Sequence, residues 1–278
     1  MRIGIYGVPI ETVKHDLPIQ FPQIYSPTIT DELRKEIISV AKSIDIQIED
    51  LGELILGNKL DSRLIPTPFQ FVDEETLKQM QLVDFQKLRE EKQRIGNISK
   101  DYDLLIGIGS SHFGAITMYS SNEKIARYDY HGDYYMGPMN FRLQNNEYNH
   151  ANYLIWVRDN LKRCKIGNYF AMSGEYLGNL LEPEDEFGAS CTFHDIDLDC
   201  FGHTFQNIYE TSNTTFSTEY CMNRLLELLK HSKPKKLGFF EYRLNNDPSR
   251  QGVNYIVSCI ASCIGQDISK IWHNAIMA

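Results

Sequence analysis

Short apolar runs of strand length alternate along the chain with longer stretches whose apolar residues recur every three or four positions. Met1–Val8 reads as a buried strand closed by Gly7 and Pro9. Thr30–Ser43 reads as a helix, with Thr30 and Asp31 in the cap region and Leu33, Ile37, Ile38 and Ala41 as its apolar stripe. Ile44–Leu51 is the next strand, and Gly57–Phe71 is a long loop. Glu74–Asn97 reads as one charged helix carrying Leu77, Met80, Leu82, Phe85 and Leu88, its lysines and glutamates forming a solvated face. Leu104–Ile108 is an apolar strand that closes on Gly109, Ser110 and Ser111. Further strands are expected at Lys124–Tyr130, Tyr169–Met172, Ala189–Ile196 and Lys236–Tyr242, and helices at Asn149–Asn160, Ser217–His231 and Gln251–Cys263. Strands this apolar, separated by helices, predict a mostly parallel central sheet covered on both faces, a three-layer α/β architecture. No Pro/Gly-rich linker divides the sequence, so residues 1–278 are expected to form one domain.

Composition narrows the function classes. The 28 basic residues are outnumbered by 37 acidic ones, for a net charge of −9. That balance argues against a general nucleic-acid binder or an anionic-membrane binder, each of which needs a basic face. Met1–Pro9 carries no cleavage site, and nowhere do 18 apolar residues follow one another, so neither a signal peptide nor a membrane span is expected. The six cysteines form no CxxC pair, and Cys259 and Cys263 share one apolar helix face. A reduced, cytoplasmic protein is the expectation.

The chemistry-bearing residues collect where an open parallel sheet binds its ligands, at the carboxyl ends of strands. Lys124–Tyr130 runs into Asp129, His131 and Asp133, which period-2 alternation sends to one side. Ala189–Ile196 runs into Asp195, Asp197 and Asp199 with the same spacing, and the loop after Leu104–Ile108 adds His112. Gathered carboxylates repel one another unless a cation neutralises them. His194 has the opposite parity and is expected to pack beneath the site; Asp199 is as well explained by solvent or a helix cap. Ser110 and Ser111 lack a nucleophile-elbow context, which excludes a serine hydrolase.

Three motifs in this order, Gly109-Ser110-Ser111-His112, Asp129-Tyr130-His131-Gly132-Asp133 and Asp195-Ile196-Asp197, resemble the ureohydrolase superfamily of arginases and agmatinases. That resemblance implies an arginase-like fold and a binuclear manganese centre, with other divalent cations as alternatives. One ion would be held by His112 and Asp133, the other by His131 and Asp197, with Asp129 and Asp195 bridging. It also implies catalytic roles for His150, in NEYNHANYL, as proton shuttle, and for Glu241, in LGFFEYR, as partner of the guanidinium. Ser111 stands where the family has an acidic residue, and Tyr135 where it has Asn, so the metal motifs are kept while the pocket is rebuilt.

The function so implied is hydrolysis of a linear C–N bond in a small guanidino or amidino compound, releasing urea or a related product. Paired cations activate water for that attack. Carboxylate-rich ligation with imidazole and no thiolate suits manganese. A homo-oligomer is the expected assembly. Two other readings stand beside it: an arginase-fold amidohydrolase or deacetylase on another substrate, and a non-catalytic homologue that keeps its metals. Deacetylases of that architecture use one zinc and lack the pair supplied here by His131 and Asp197. His203, Glu175 and Tyr135 stay without an assigned role.

Overall fold

The computed structural model describes residues 1–12, 23–25, 29–59, 81–129, 131, 153–170, 185–198, 200–201, 218–242, 244, 247–269 and 271. In chain order the strands are β1 (Ile3–Val8), β2 (Ile10–Thr12), β3 (Gln23–Tyr25), β4 (Glu49–Glu53), β5 (Gly57–Lys59), β6 (Gln81–Val83), β7 (Leu104–Gly109), β8 (Lys124–Tyr128), β9 (Lys165–Tyr169), β10 (Phe193–Asp197) and β11 (Lys236–Phe240). The helices are α1 (Asp31–Ser43), α2 (Phe85–Ile98), α3 (Tyr153–Asn160), α4 (Asp185–Ala189), α5 (Thr218–His231) and α6 (Gln251–Cys263).

Seven strands form one sheet in the order β4–β1–β7–β11–β10–β8–β9, and every pairing in it is parallel. β1, β7, β10 and β11 are buried along their whole length; β1 and β7 therefore read as continuous apolar runs, whereas β10 carries buried His194, Asp195 and Asp197 and β11 opens on buried Lys236. Alternate residues serve separate cores. Ile3, Ile5, Leu104, Ile106, Ile108, Leu237 and Phe239 pack with α1, α5 and α6 on one face. Tyr6, Val8, Leu105, Ile125, Phe193 and Phe240 pack with Leu88 and Ile95 of α2 and Tyr153, Leu154, Trp156 and Val157 of α3 on the other. Cys259 and Cys263 belong to the first of these cores, as their spacing implies.

The smaller elements depart from expectation for local reasons. The structure begins the second sheet strand at Glu49 rather than Ile44, and this edge strand carries exposed acidic residues. Its Asp50 and Glu53 meet the buried Arg34 at 2.8 and 3.3 Å. The expected helix Glu74–Asn97 is a short strand followed by a helix. Asp84 accepts hydrogen bonds from the backbone N–H groups of Gln86 (2.7 Å) and Lys87 (3.2 Å), which starts α2 there. Just before it, β6 pairs with β3 and β5 in a second, antiparallel sheet of order β2–β3–β6–β5. That pairing also makes a strand of Gly57–Lys59, inside the expected loop. Strand β9 ends at Tyr169, where the strand at Tyr169–Met172 was expected to begin; Phe170 takes a φ of 72° and turns the chain away. The expected strand Ala189–Ile196 divides, α4 ending at Ala189 and β10 starting at Phe193.

Candidate metal centre

β7 and β8 follow one another in the chain, yet β11 and β10 stand between them in the sheet. A reversal of strand order of this kind is where open α/β sheets hold ligands, at the carboxyl ends of the strands. β7 delivers the loop bearing His112, β8 ends at Asp129, β10 carries Asp195 and Asp197, and β11 is followed by Glu241. Gly109 closes β7 in a tight place: a Cβ there would stand 3.0 Å from the Val8 carbonyl oxygen and from Phe240. The missing side chain lets β7 pass close to these neighbours as it enters the short 3-10 helix His112–Thr117.

His112, Asp129, Asp195, Asp197 and Glu241 are all buried. His112 Nδ1 stands 2.9 Å from Asp129 Oδ2 and 2.9 Å from Asp197 Oδ2. These three side chains each bring one ligand atom into a common space, all within 4.8 Å of one another. On the opposite edge of the ring, His112 Nε2 lies 3.1 Å from Asp195 Oδ1. Tyr119 and Tyr153 donate to Asp195 Oδ2 at 2.6 and 3.1 Å. Glu241 takes a φ of 57° after β11, and its Oε1 accepts the His112 backbone N–H at 2.7 Å. Burial alone disfavours a charged imidazole, but Tyr153 and the carboxylates of Asp195, Asp197 and Asp129 outweigh it and hold the His112 pKa well above its ordinary value. The cage is built to hold positive charge.

His112 is oriented as a ligand. Its Nε2 edge faces Asp195 while its Nδ1 edge faces Asp129 and Asp197, the carboxylate–histidine arrangement common around metals. One imidazole nitrogen and two carboxylate oxygens, with no thiolate, fit a hard or borderline divalent cation.

No protein-family model matches the sequence, and no curated protein matches it either. Solved structures do. Arginase from Bacillus subtilis superposes with a TM-score of 0.61 at 14% identity, covering 96% of this chain and 99% of that one. A putative agmatinase from Clostridium difficile gives a TM-score of 0.57 at 16% identity, over 97% of each chain. Formimidoylglutamase from Bacillus subtilis gives 0.59 at 8% identity, over 96% of this chain and 88% of that one. The chain has the arginase fold. At these identities the likeness is one of architecture, the seven-stranded parallel sheet with helices on both faces.

Within this arginase fold the expected residues separate into groups. His112, Asp129 and Asp197 come together. Asp195, expected with Asp129 as a bridge, lies at the Nε2 edge of His112 with the two tyrosines. His131 donates its backbone N–H to Asp129 Oδ1 at 2.6 Å, while its ring is 46% exposed and 3.7 Å from that oxygen. Asp133, Tyr135, His150, Glu175, Asp199 and His203 lie outside the described residues. His194 faces the other core, stacked on Tyr128 and 2.9 Å from its hydroxyl, and burial holds its pKa down at about 3. Arg127, Tyr119 and Tyr153 were not anticipated as parts of the site. Arg127 left a signal: a cation in an otherwise apolar strand, two residues before Asp129 and therefore on its side of the sheet. Nothing in the sequence marks the two tyrosines apart from other core aromatics.

Proposed function

We propose that this arginase-fold chain is a divergent member of the ureohydrolase superfamily, a single-domain metallohydrolase that cleaves a linear C–N bond in a small guanidino or amidino compound. The observation that carries this reading is the buried group of His112, Asp129 and Asp197 at the carboxyl ends of the sheet, with Asp195 orienting the imidazole. His131 and Asp133 complete the set that the motif resemblance implies for two manganese ions. Cations held there would supply Lewis acidity to the amidine and activate water for attack on its carbon.

The chain's own residues supply the rest. Glu241, already beside His112, offers a carboxylate to the donor fork of a guanidinium and so orients the substrate. His150 carries the proton to the departing amine as the C–N bond breaks. The buried, largely aromatic surroundings of His112 limit water around the reacting carbon and strengthen each charged contact. A cytoplasmic homo-oligomer acting on a small molecule, without nucleic acid or membrane, completes the proposal. Among the described residues no helix is long and apolar enough to cross a membrane.

The test is a panel of guanidino and amidino compounds offered to manganese-loaded protein, with release of urea, ammonia or formamide as the readout. At least one compound should turn over, and EDTA should abolish the reaction. A folded, metal-loaded protein inert across the panel would overturn the proposal in favour of a non-catalytic homologue.

A further inference from the structure

A cavity of about 360 Å³ opens between α2 and the segment leading into β8, lined by Arg89, Lys92, Thr117, Ser120, Ser121 and Lys236. Lys236 begins β11 and the two serines precede β8, so this cavity lies at the amino ends of the strands, opposite the metal centre. Lys236 Nζ places its three N–H groups on the Met118 carbonyl at 2.5 Å, Ser120 Oγ at 3.1 Å and Glu123 at 2.8 Å. Lys92 Nζ donates to the Ile116 carbonyl at 2.7 Å and to the Tyr119 carbonyl. When charged it has a third N–H, for which no acceptor stands ready among the described residues. Ser120 Oγ accepts from Lys236, and Ser121 Oγ from the Lys162 backbone N–H at 3.1 Å, which leaves both hydroxyl protons to donate. Arg89, exposed at the rim one turn before Lys92, makes no hydrogen bond or ion pair among the described residues. Glu123, the carboxylate beside the lysines, is already held by Lys236, Thr192 and the Ser120 backbone N–H. Donors are left over, and the acceptors are taken.

With Lys92 protonated, three cations against Glu123 give the cavity a charge of about +2, in a chain whose net charge is −9. We propose that this cavity binds a small, doubly charged tetrahedral oxyanion of the phosphate and sulfate kind, held by Lys92, Arg89 and the hydroxyls of Ser120 and Ser121. Donors that come from α2 on one wall and from the serine pair on the other suit a group with acceptor oxygens on all sides. Ion and proton support each other. Burial and the Lys236 charge draw the Lys92 pKa down to about 7, against the opposing pull of Glu123 and Cys164. Arg89 and the Trp156 ring, 5.7 Å from Nζ, complete its surroundings and do not titrate in this range. An anion beside Lys92 raises that pKa, so binding takes up a proton and weakens as pH climbs past about 7. The site is separate from the metal centre and stands whether or not that centre is catalytic.

Sulfate is the probe, because it keeps both charges across the pH range used and leaves any pH dependence to the protein. The full chain is titrated calorimetrically with sodium sulfate at pH 6.5 and pH 8.5, with ionic strength held constant by chloride and folding followed by circular dichroism. Wild type should bind one equivalent at pH 6.5, and its affinity should fall about tenfold or more at pH 8.5. Arg89→Met and Lys92→Met should each weaken binding about tenfold or more at pH 6.5, and Lys92→Met should lose the pH dependence. Arg89 is exposed, so its variant keeps the test open should Lys92→Met fail to fold. Absence of saturable sulfate binding to wild type at pH 6.5 would overturn the inference. So would unchanged affinity in folded Arg89→Met, which would place the ion elsewhere, the metal centre included. An affinity equal at the two pH values would remove Lys92 from the site and overturn the assignment as well.

Discussion

At the scale of single residues, His112 organises the centre because each edge of its ring meets a different carboxylate environment. Asp129 and Asp197 face Nδ1, and Asp195 faces Nε2 with Tyr119 and Tyr153 behind it. This asymmetry separates the aspartates by experiment. Asp129→Asn and Asp197→Asn should each abolish binding of a cation at His112, since each removes a charged ligand from the group. Asp195→Asn should weaken it by about 10–100-fold, the usual loss when the residue that orients a histidine ligand is changed. Metal analysis after dialysis reads both; equal abolition by all three would restore Asp195 to the bridging role its motif implies. His150→Ala should keep the bound metal and lower turnover by ~10²-fold or more, the size typical of a general acid–base group. Unchanged turnover would move the proton transfer elsewhere.

At the scale of elements, the long strands and the caps behaved differently under sequence reading. β7 was legible because burial on both faces leaves an apolar run to read, and α6 because its apolar residues recur along a buried helix, whereas β10, buried yet mostly polar, was found only in part. The start of α2 was not legible, because helical periodicity continued across β6, and the backbone pairing of β6 with β3 and β5 overrides it. Asp84 was the available sign, a capping residue ahead of an amphipathic run. Asp84→Ala should cost ~1 kcal/mol, and a urea midpoint unchanged from wild type would show that the cap contributes nothing. Gly109→Ala should cost more, ~1–3 kcal/mol, because the new methyl meets the Val8 carbonyl and the Phe240 ring at 3.0 Å. Its melting temperature should fall by several degrees and its metal affinity with it, since β7 positions His112.

At the scale of the whole molecule, two lysines, half-buried Lys92 and buried Lys236, lie under the loop that carries the site. Lys92 of α2 donates to the carbonyls of Ile116, at 2.7 Å, and of Tyr119. Lys236 of β11 bonds Met118, Ser120 and Glu123 beside it. Burial, with the neighbouring Lys236 charge adding to it, pushes the Lys92 pKa down to about 7. In the unfolded chain Lys92 keeps its proton up to an ordinary value near 10.5, so between these limits the unfolded state binds more protons. Stability therefore rises with pH from about 7, by at most ~1.4 kcal/mol per pH unit for this one group. Above about pH 9 the thiols of half-buried Cys164 and buried Cys191, pushed up to about 12, oppose the rise, because there the folded chain holds protons that the unfolded chain has lost. Urea midpoints at pH 7.0, 7.5, 8.0 and 8.5 should climb in wild type and climb less in Lys92→Met. Parallel slopes would show that Lys92 keeps its proton when folded.

What the sequence determined by itself was the class of the fold and the order of its chemical motifs. Buried apolar runs marked the central strands, and period-2 alternation assigns residues to faces, so Asp129, Asp195 and Asp197 could be placed on one side of the sheet and His194 on the other. What only the tertiary structure decided was which of those groups meet, and at which atoms. β7 and β8 are consecutive in the chain but separated by two strands that arrive much later, so the distance from His112 to Asp197 is set by sheet order and not by spacing. The same long-range packing brings Tyr119, Tyr153 and Arg127 onto the aspartates, through contacts that leave no periodic trace because each depends on a different element. Local pattern reports burial and direction. Partnership between charges is a property of the assembled sheet.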